Sequence, residues 1–159
     1  VNDSPNTITE QEDSTMFRFA IMGAGGIANK FCDAVALIPD AEVCAISSKS
    51  IDRARDFAAR HSLPAYYDSY EAMLAEERPD CVYIAVTHDA HFDLAMLCLA
   101  HDTPVLCEKS MFQNSREAET FFTEADRRGL FSMEAMWSRF LPPVVKARKW
   151  VDEGRIGRP

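Results

Sequence analysis

Phe17-Arg18-Phe19-Ala20-Ile21-Met22-Gly23-Ala24-Gly25-Gly26-Ile27-Ala28 is an apolar run that stops abruptly at three glycines and continues as helix-forming sequence. It reads as a buried strand, a tight turn and the first turn of a helix, the opening of a dinucleotide-binding unit. Gly23 permits the sharp exit from the strand. Gly25 leaves the backbone bare so that a pyrophosphate can approach. Ala28 fills the third small position of G-x-G-x-x-G/A and lets the helix pack close to the strand. The free N–H groups of the helix start, Gly26 and Ile27 included, then face the anion, with the positive end of the helix dipole behind them. A glycine turn between strand and helix also serves packing alone, so its context has to decide.

Working outward, Ile27, Phe31, Val35 and Ile38 recur at helical spacing and Pro39-Asp40 closes that helix. Residues 42–47 read as a second strand, followed by a helix carrying Ala54, Phe57, Ala58 and His61. A short strand at 65–67 leads to Asp68-Ser69-Tyr70-Glu71, an acceptor with Glu three residues on, the pattern of a capped helix start. Residues 81–86 are nearly all apolar, as a central parallel strand covered on both faces requires. A well-buried helix at 92–100, a strand at 103–107, an amphipathic helix at 115–128 stopped by Gly129, a strand at 130–135 and a last helix at 138–153 complete the series. Strands and helices alternate with short connections, which implies right-handed crossovers. The predicted fold is α/β, a doubly wound parallel sheet of Rossmann type with strand order 3-2-1-4-5-6 in three layers.

In such a sheet ligands bind outside the carboxyl ends of the strands, near the point where the strand order reverses. Those ends hold Gly23 to Ile27, then Ser47-Ser48-Lys49-Ser50, Thr87 to His91, Glu108-Lys109 and Glu134 to Arg139. Strand two discriminates between cofactors. An NAD site carries Asp or Glu about 20 residues past the glycine motif, to accept from the ribose hydroxyls. Here that place holds Ser47, Ser48 and Lys49, with Arg53 one turn on. Hydroxyls and cations favour a 2′-phosphate, so NADP(H) is predicted over NAD(H). Lys109 reads either as a cation beside the nicotinamide or as half of a rim ion pair with Glu108. His88 and His91 read as helix-start residues or as acid–base groups.

The bulk numbers set bounds. The 159 residues carry a net charge of −8. Asp3, Glu10, Glu12 and Asp13 stand in the first fifteen without a basic residue, which leaves −4 on the remainder and argues against nucleic acid as a partner. Residues 1–15 are expected to be a mobile acidic leader, and 16–159 one domain. Cys32, Cys44, Cys81, Cys98 and Cys107 form no C-x-x-C pair and read as buried free thiols of a reducing compartment. His61, His88, His91 and His101 lack ligand-spaced partners, so no metal is expected. No run approaches the roughly 20 apolar residues of a membrane span. The N-terminus shows no basic region followed by an apolar core, so a cytoplasmic protein is expected.

Four segments together resemble the Gfo/Idh/MocA oxidoreductase family. They are Gly23 to Ala28, Ala85-Val86-Thr87-His88-Asp89-Ala90-His91, Leu106-Cys107-Glu108-Lys109-Ser110-Met111, and Met133-Glu134-Ala135-Met136-Trp137-Ser138-Arg139-Phe140. The third resembles the family's E-K-P motif. The last resembles the M-E-A-x-W-x-R-F run of the branch that holds dimeric dihydrodiol dehydrogenase and NADP-dependent D-xylose dehydrogenase. The resemblance implies that Lys109 lies beside the nicotinamide and the reacting hydroxyl as the catalytic residue. It places Trp137 at the substrate pocket, Arg139 near the cofactor and His91 in the wall under the ribose. Ser110 stands where the motif has proline, usually preceded by a cis peptide; cis bonds are nearly confined to proline, so this turn is expected to differ.

The resemblance further implies a second domain after the Rossmann unit, supplying the acid–base residue, most of the substrate pocket and the contacts of a homodimer. The chain's last residues fall about where that domain begins. The expected function is the NADP(H)-binding half of an enzyme that moves a hydride between NADP and a hydroxyl- or carbonyl-bearing carbon of a sugar or cyclic diol. The alternative is a stand-alone dinucleotide-binding or redox-sensing module without turnover.

Overall fold

The computed structural model describes residues 16–157. The expected acidic leader lies outside them. Six strands, β1 (Phe17–Met22), β2 (Ala41–Ser47), β3 (Ala65–Tyr67), β4 (Cys81–Ile84), β5 (Val105–Cys107) and β6 (Ser132–Glu134), form one sheet in the order β3-β2-β1-β4-β5-β6. Every pairing is parallel. The order reverses between β1 and β4, where the chain that leaves β1 turns to one side and the chain that leaves β4 to the other. A register shift between Phe19 and Ala20 lets β1 stay paired with β2 along its whole length.

Both faces of the sheet are covered, which is why β4 reads as uninterrupted apolar sequence. Helices α1 (Gly26–Val35) and α2 (Ile51–His61) pack on one face through Ala28, Cys32, Phe57 and Ala58 against Ile21, Ile46 and Tyr83. On the other face lie α3 (Tyr70–Glu77), α4 (His91–Ala100) and α5 (Ser115–Arg128). They bury Met73, Leu74, Leu94, Cys98, Leu99, Phe121 and Ala125 against Met22, Val82, Ile84 and Val105. Burying the Leu, Ile, Val, Met and Phe side chains among these stabilises the fold by about 1.5–3 kcal/mol each.

Local chemistry sets the helix boundaries. Ser50 caps α2 by accepting from Arg53 N at 3.4 Å, and Asn114 caps α5 by accepting from Glu117 N at 3.0 Å. Gly129, with φ of 67°, ends α5 in the left-handed conformation that glycine adopts without penalty. At α3 the cap is Ser69, whose hydroxyl accepts from Ala72 N at 3.2 Å, and not the Asp68 of the sequence pattern. Phe122 of α5 is 39% exposed and packs beside Phe112 and the buried Phe121 ring.

The largest departure from expectation is at the carboxyl end. The helix expected over 138–153 is split into a short 3-10 turn at Trp137–Phe140 and helix α6 (Pro142–Asp152). Leu141 between them is extended, with φ −64° and ψ 133°. Proline disfavours helical geometry in the residue before it, while a proline at the first helical position is well placed, so Pro142 stops one element and starts the next.

All five cysteines are buried free thiols. Burial pushes the Cys32 and Cys44 thiols up to about 11 and those of Cys81 and Cys107 up to about 12. Only the thiolate is nucleophilic, so near pH 8, where an ordinary thiol begins to react, these stay protonated. A thiol reagent at about pH 8 is expected to modify none of the five in the folded protein and all five after denaturation. Prompt labelling of any one without unfolding would contradict this packing. Because the folded values lie above the unfolded ones, the associated stability is intact below the ordinary thiol range and is lost as pH rises through about 11 to 12.

Candidate dinucleotide site

The exit of β1 is held between two neighbours. Gly23 N donates to Ser47 O at 2.8 Å, and Ala85 N donates to Met22 O at 2.8 Å. Gly23 has φ of 105°, and a Cβ there would lie 2.6 Å from Ala85 O and 2.9 Å from Val86 Cγ1. Only glycine satisfies both the dihedral and the close approach. Gly25 and Gly26 differ in kind. A Cβ on Gly25 would meet Ala85 O at an ordinary 3.6 Å, and one on Gly26 would meet nothing within 4 Å, so their backbone faces open space.

That space is a cleft of about 320 Å³ lined by Gly23 to Ile27, Ser48, Lys49, Arg53, Tyr70 and the Ala85–Thr87 segment. Helix α1 starts in it with no side-chain cap and no acidic residue in its first turn. Its leading N–H groups and positive dipole end are therefore open to an anion. Arg53 Nη2 donates to Ala24 O at 3.3 Å, which holds its guanidinium across the mouth of the glycine turn. Behind the turn, Asn29 Nδ2 donates to Gly25 O at 3.1 Å while its Oδ1 meets His61 Nε2 at 2.7 Å, so α1 and α2 brace the loop from below.

Of the residues expected at the site, Gly23, Gly25, Gly26, Ile27, Ser48, Lys49, Arg53 and Thr87 thus share one cleft. Ala28 is fully buried behind it against the sheet. Ser47 does not reach the cleft: it is fully buried, its carbonyl is used by Gly23, and its hydroxyl has no partner among the described residues. Arg139 is exposed and lines neither this cleft nor the cavity described next.

A second, apolar cavity of about 540 Å³ adjoins Ile27 on the α1 face, under Lys30 and Phe31 and over Tyr83, Leu106 and Met133, with Trp137 and Phe140 at its rim. Glu108 projects into it from the end of β5. Tyr83 OH donates to Glu108 Oε1 at 2.6 Å, and the Tyr83 ring stacks on Phe31 with centroids 3.9 Å apart. Burial, and then the hydrogen bond to Glu108, push the Tyr83 phenol well above its ordinary value, so it stays a donor. Glu108 Oε2 accepts from Lys109 N at 3.2 Å. The carboxylate is engaged by these two donors, and no ion pair to the Lys109 ammonium forms among the described residues. Lys109 itself is exposed at the rim.

His88 and His91 face the Lys109 turn. His88 Nε2 lies 3.0 Å from Lys109 O, and His91 Nδ1 lies 3.1 Å from both Ser110 O and Met111 O. The Lys109–Ser110 peptide bond is cis, so the departure expected from the serine is not found there.

Tyr70 was not anticipated as a site residue. It stands at the start of α3, just past the carboxyl end of β3, and shares the cleft with Lys49 and Arg53; burial raises its phenol. The rule that ligands collect at strand ends, applied to the short third strand as to the others, points to it.

A glycine-lined anion cleft at the reversal point of a parallel sheet defines a dinucleotide-binding domain. Residues 17–135 match the family described as an oxidoreductase family with an NAD-binding Rossmann fold, and the chain belongs to that family, Gfo/Idh/MocA. It is 37% identical over 142 residues to trans-1,2-dihydrobenzene-1,2-diol dehydrogenase of Mus musculus, covering 88% of this chain and 43% of that protein. The Homo sapiens protein of the same name is 35% identical over 142 residues. A mutant 3-ketoreductase from Actinomadura kijaniata in complex with TDP-benzene and NADP superposes with a TM-score of 0.80 at 30% identity, covering 90% of this chain and 46% of that one. Scyllo-inositol dehydrogenase from Lactobacillus casei with bound NAD(H) shares the fold, at a TM-score of 0.83 and 19% identity. The chain thus spans about 43% of the length of the mouse relative. It carries the NAD-binding Rossmann fold of that oxidoreductase family. No helix among the described residues is long and apolar enough to cross a membrane.

The glycines allow a paired test. Gly129→Ala, with a φ of 67° and no atom within 4 Å of the new Cβ, is expected to cost about 1 kcal/mol in urea denaturation. Gly23→Ala adds a backbone collision and is expected to cost at least about 3 kcal/mol. Equal losses would contradict the close approach of β1 to β4.

Proposed function

We propose that this domain binds NADP(H) in preference to NAD(H). We further propose that the whole protein moves a hydride between that cofactor and a hydroxyl- or carbonyl-bearing carbon of a sugar or cyclic diol. One observation carries the cofactor preference: Ser48, Lys49 and Arg53 line the cleft beside β2, where a carboxylate serving the ribose hydroxyls would stand in an NAD site. Two cations there attract a 2′-phosphate, and no acid lines the cleft to repel it. The α1 amides at Gly25 to Ile27 would hold the pyrophosphate, with Thr87 and Val86 as the opposite wall. The substrate class rests on what the relatives' names say they act on.

When bound, the nicotinamide supplies the hydride acceptor or donor. The chain's own part is electrostatic. Lys109, free of Glu108, offers an ammonium to a substrate oxygen, stabilising alkoxide character or lowering the pKa of a neighbouring acid. Trp137, at the rim of the apolar cavity, would form part of the substrate pocket. The full-length protein is proposed to work in the cytoplasm as a homodimer whose second domain completes the substrate pocket.

Fluorescence titration with the two reduced cofactors is the test. NADPH is expected to bind at least about tenfold more tightly than NADH, a difference of about 1.4 kcal/mol. Lys49→Ala is expected to weaken NADPH about 10- to 100-fold, as loss of a charge-assisted hydrogen bond does, and to leave NADH nearly unchanged. NADPH binding that survives Lys49→Ala would overturn the assignment. In the full-length protein, Lys109→Ala is expected to lower kcat by about 100-fold or more while NADPH affinity stays within a few-fold. Unchanged turnover would remove Lys109 from the chemistry.

A further inference from the structure

His91 is fully buried at the start of α4, and both of its ring nitrogens face backbone carbonyls. Nδ1 lies 3.1 Å from Ser110 O and 3.1 Å from Met111 O, and Nε2 lies 3.2 Å from Val86 O. A carbonyl oxygen only accepts. A ring with a single N–H would satisfy one side and set a nitrogen lone pair against a carbonyl lone pair on the other, in fully buried surroundings. Protons on both nitrogens satisfy all three contacts.

The elements packed around the ring bring several titratable and charged groups near it, none of them joined to it in an ion pair among the described residues. Asp89, two residues earlier, is held below the usual carboxylate range, first by a hydrogen bond from Thr87, with Lys49 and then His91 as the charges acting on it. Glu134, from β6, accepts from Met111 N at 2.9 Å through Oε1. The Cys107 thiol, from β5, donates to Met111 O at 3.9 Å. The His88 ring stands edge-on with centroids 5.3 Å apart and takes Lys109 O. Glu108 and Lys109 complete the charged groups on that turn. All three carbonyls of Lys109, Ser110 and Met111 are therefore met by the two imidazoles, while the far side of His91 holds Val86, a wall of the dinucleotide cleft.

We propose that His91 is a positioning residue that carries a proton on both ring nitrogens and clamps the cleft wall at Val86 to the turn that presents Lys109. The importance of that turn rests on the cofactor reading above, but the clamp itself does not need a nucleotide. It ties the end of β4 to the end of β5 by side-chain bonds, so the phosphate-facing wall and the Lys109 backbone keep a fixed separation. His88, bonded to Lys109 O alone, is the weaker member.

The test is a two-bond 1H–15N spectrum of the 15N-histidine-labelled chain at neutral pH, without nucleotide. His61→Gln, His88→Gln and His101→Gln assign the other three rings by elimination, so His91 is never altered in the deciding measurement. The expected result is that both His91 nitrogens resonate as protonated, with N–H protons slow to exchange. One nitrogen resonating as an unprotonated imine would overturn the proposal. In His91→Gln, which keeps donors on one side only, the amides of Val86–Thr87 and Lys109–Met111 are expected to shift together while those of β2 stay in place. A shift confined to one of the two segments would also overturn it. If that variant does not fold, the wild-type ring spectrum decides alone. NADPH titration of the same samples reads the cofactor proposal separately, so either can fail without the other.

Discussion

The contact on which the rest depends is the approach of Gly23 to the Ala85 carbonyl. At that point β1 leaves the sheet with a positive φ, and its backbone passes β4 at a distance that no Cβ survives. The approach is what the reversal of strand order requires, since β1 is paired to β2 on one side and β4 on the other. Loosening it would separate the glycine loop from the Ala85–Thr87 wall. The cleft would then lose the shape that sets α1's uncapped amides opposite that wall.

From there the structure divides into two connected regions. The β2 side carries charge: Lys49 and Arg53 extend toward the glycine loop, and Arg53 is tied to Ala24. The β5 side is apolar below and polar at its rim. Tyr83, stacked on Phe31, holds Glu108, and Glu108 in turn holds the Lys109 amide. The Lys109 turn is thus fixed through its N–H by a carboxylate and through its carbonyls by imidazoles. Among the described residues the ammonium forms no ion pair and stands exposed at the rim.

Much of this was legible in the sequence because it is local. The alternation of apolar runs with 3.6-period helices fixes a parallel sheet, and short crossovers leave few strand orders open. Gly23 is read through its neighbours, since a glycine turn after an apolar strand also serves packing and the residues at the other strand ends decide between the two uses. What was not legible depends on contacts far apart along the chain. Whether Ser47, the last residue of β2, is buried or reaches the cleft follows from a register that β1 sets with an irregularity at Phe19/Ala20. His91 meets residues 19 and 20 positions away. No periodicity carries that pairing. The split of the last helix is a different case: Leu141-Pro142 states it locally, but the apolar spacing of Phe140, Val144, Ala147 and Val151 masks it.

The most direct measurement is a crystal structure of this chain with NADPH bound. The account predicts the pyrophosphate on the amides of Gly25 to Ile27, the 2′-phosphate against Ser48, Lys49 and Arg53, and the nicotinamide end directed toward Lys109. A nucleotide bound elsewhere, or one lying in the cleft with its 2′-phosphate turned away from Lys49, would contradict it.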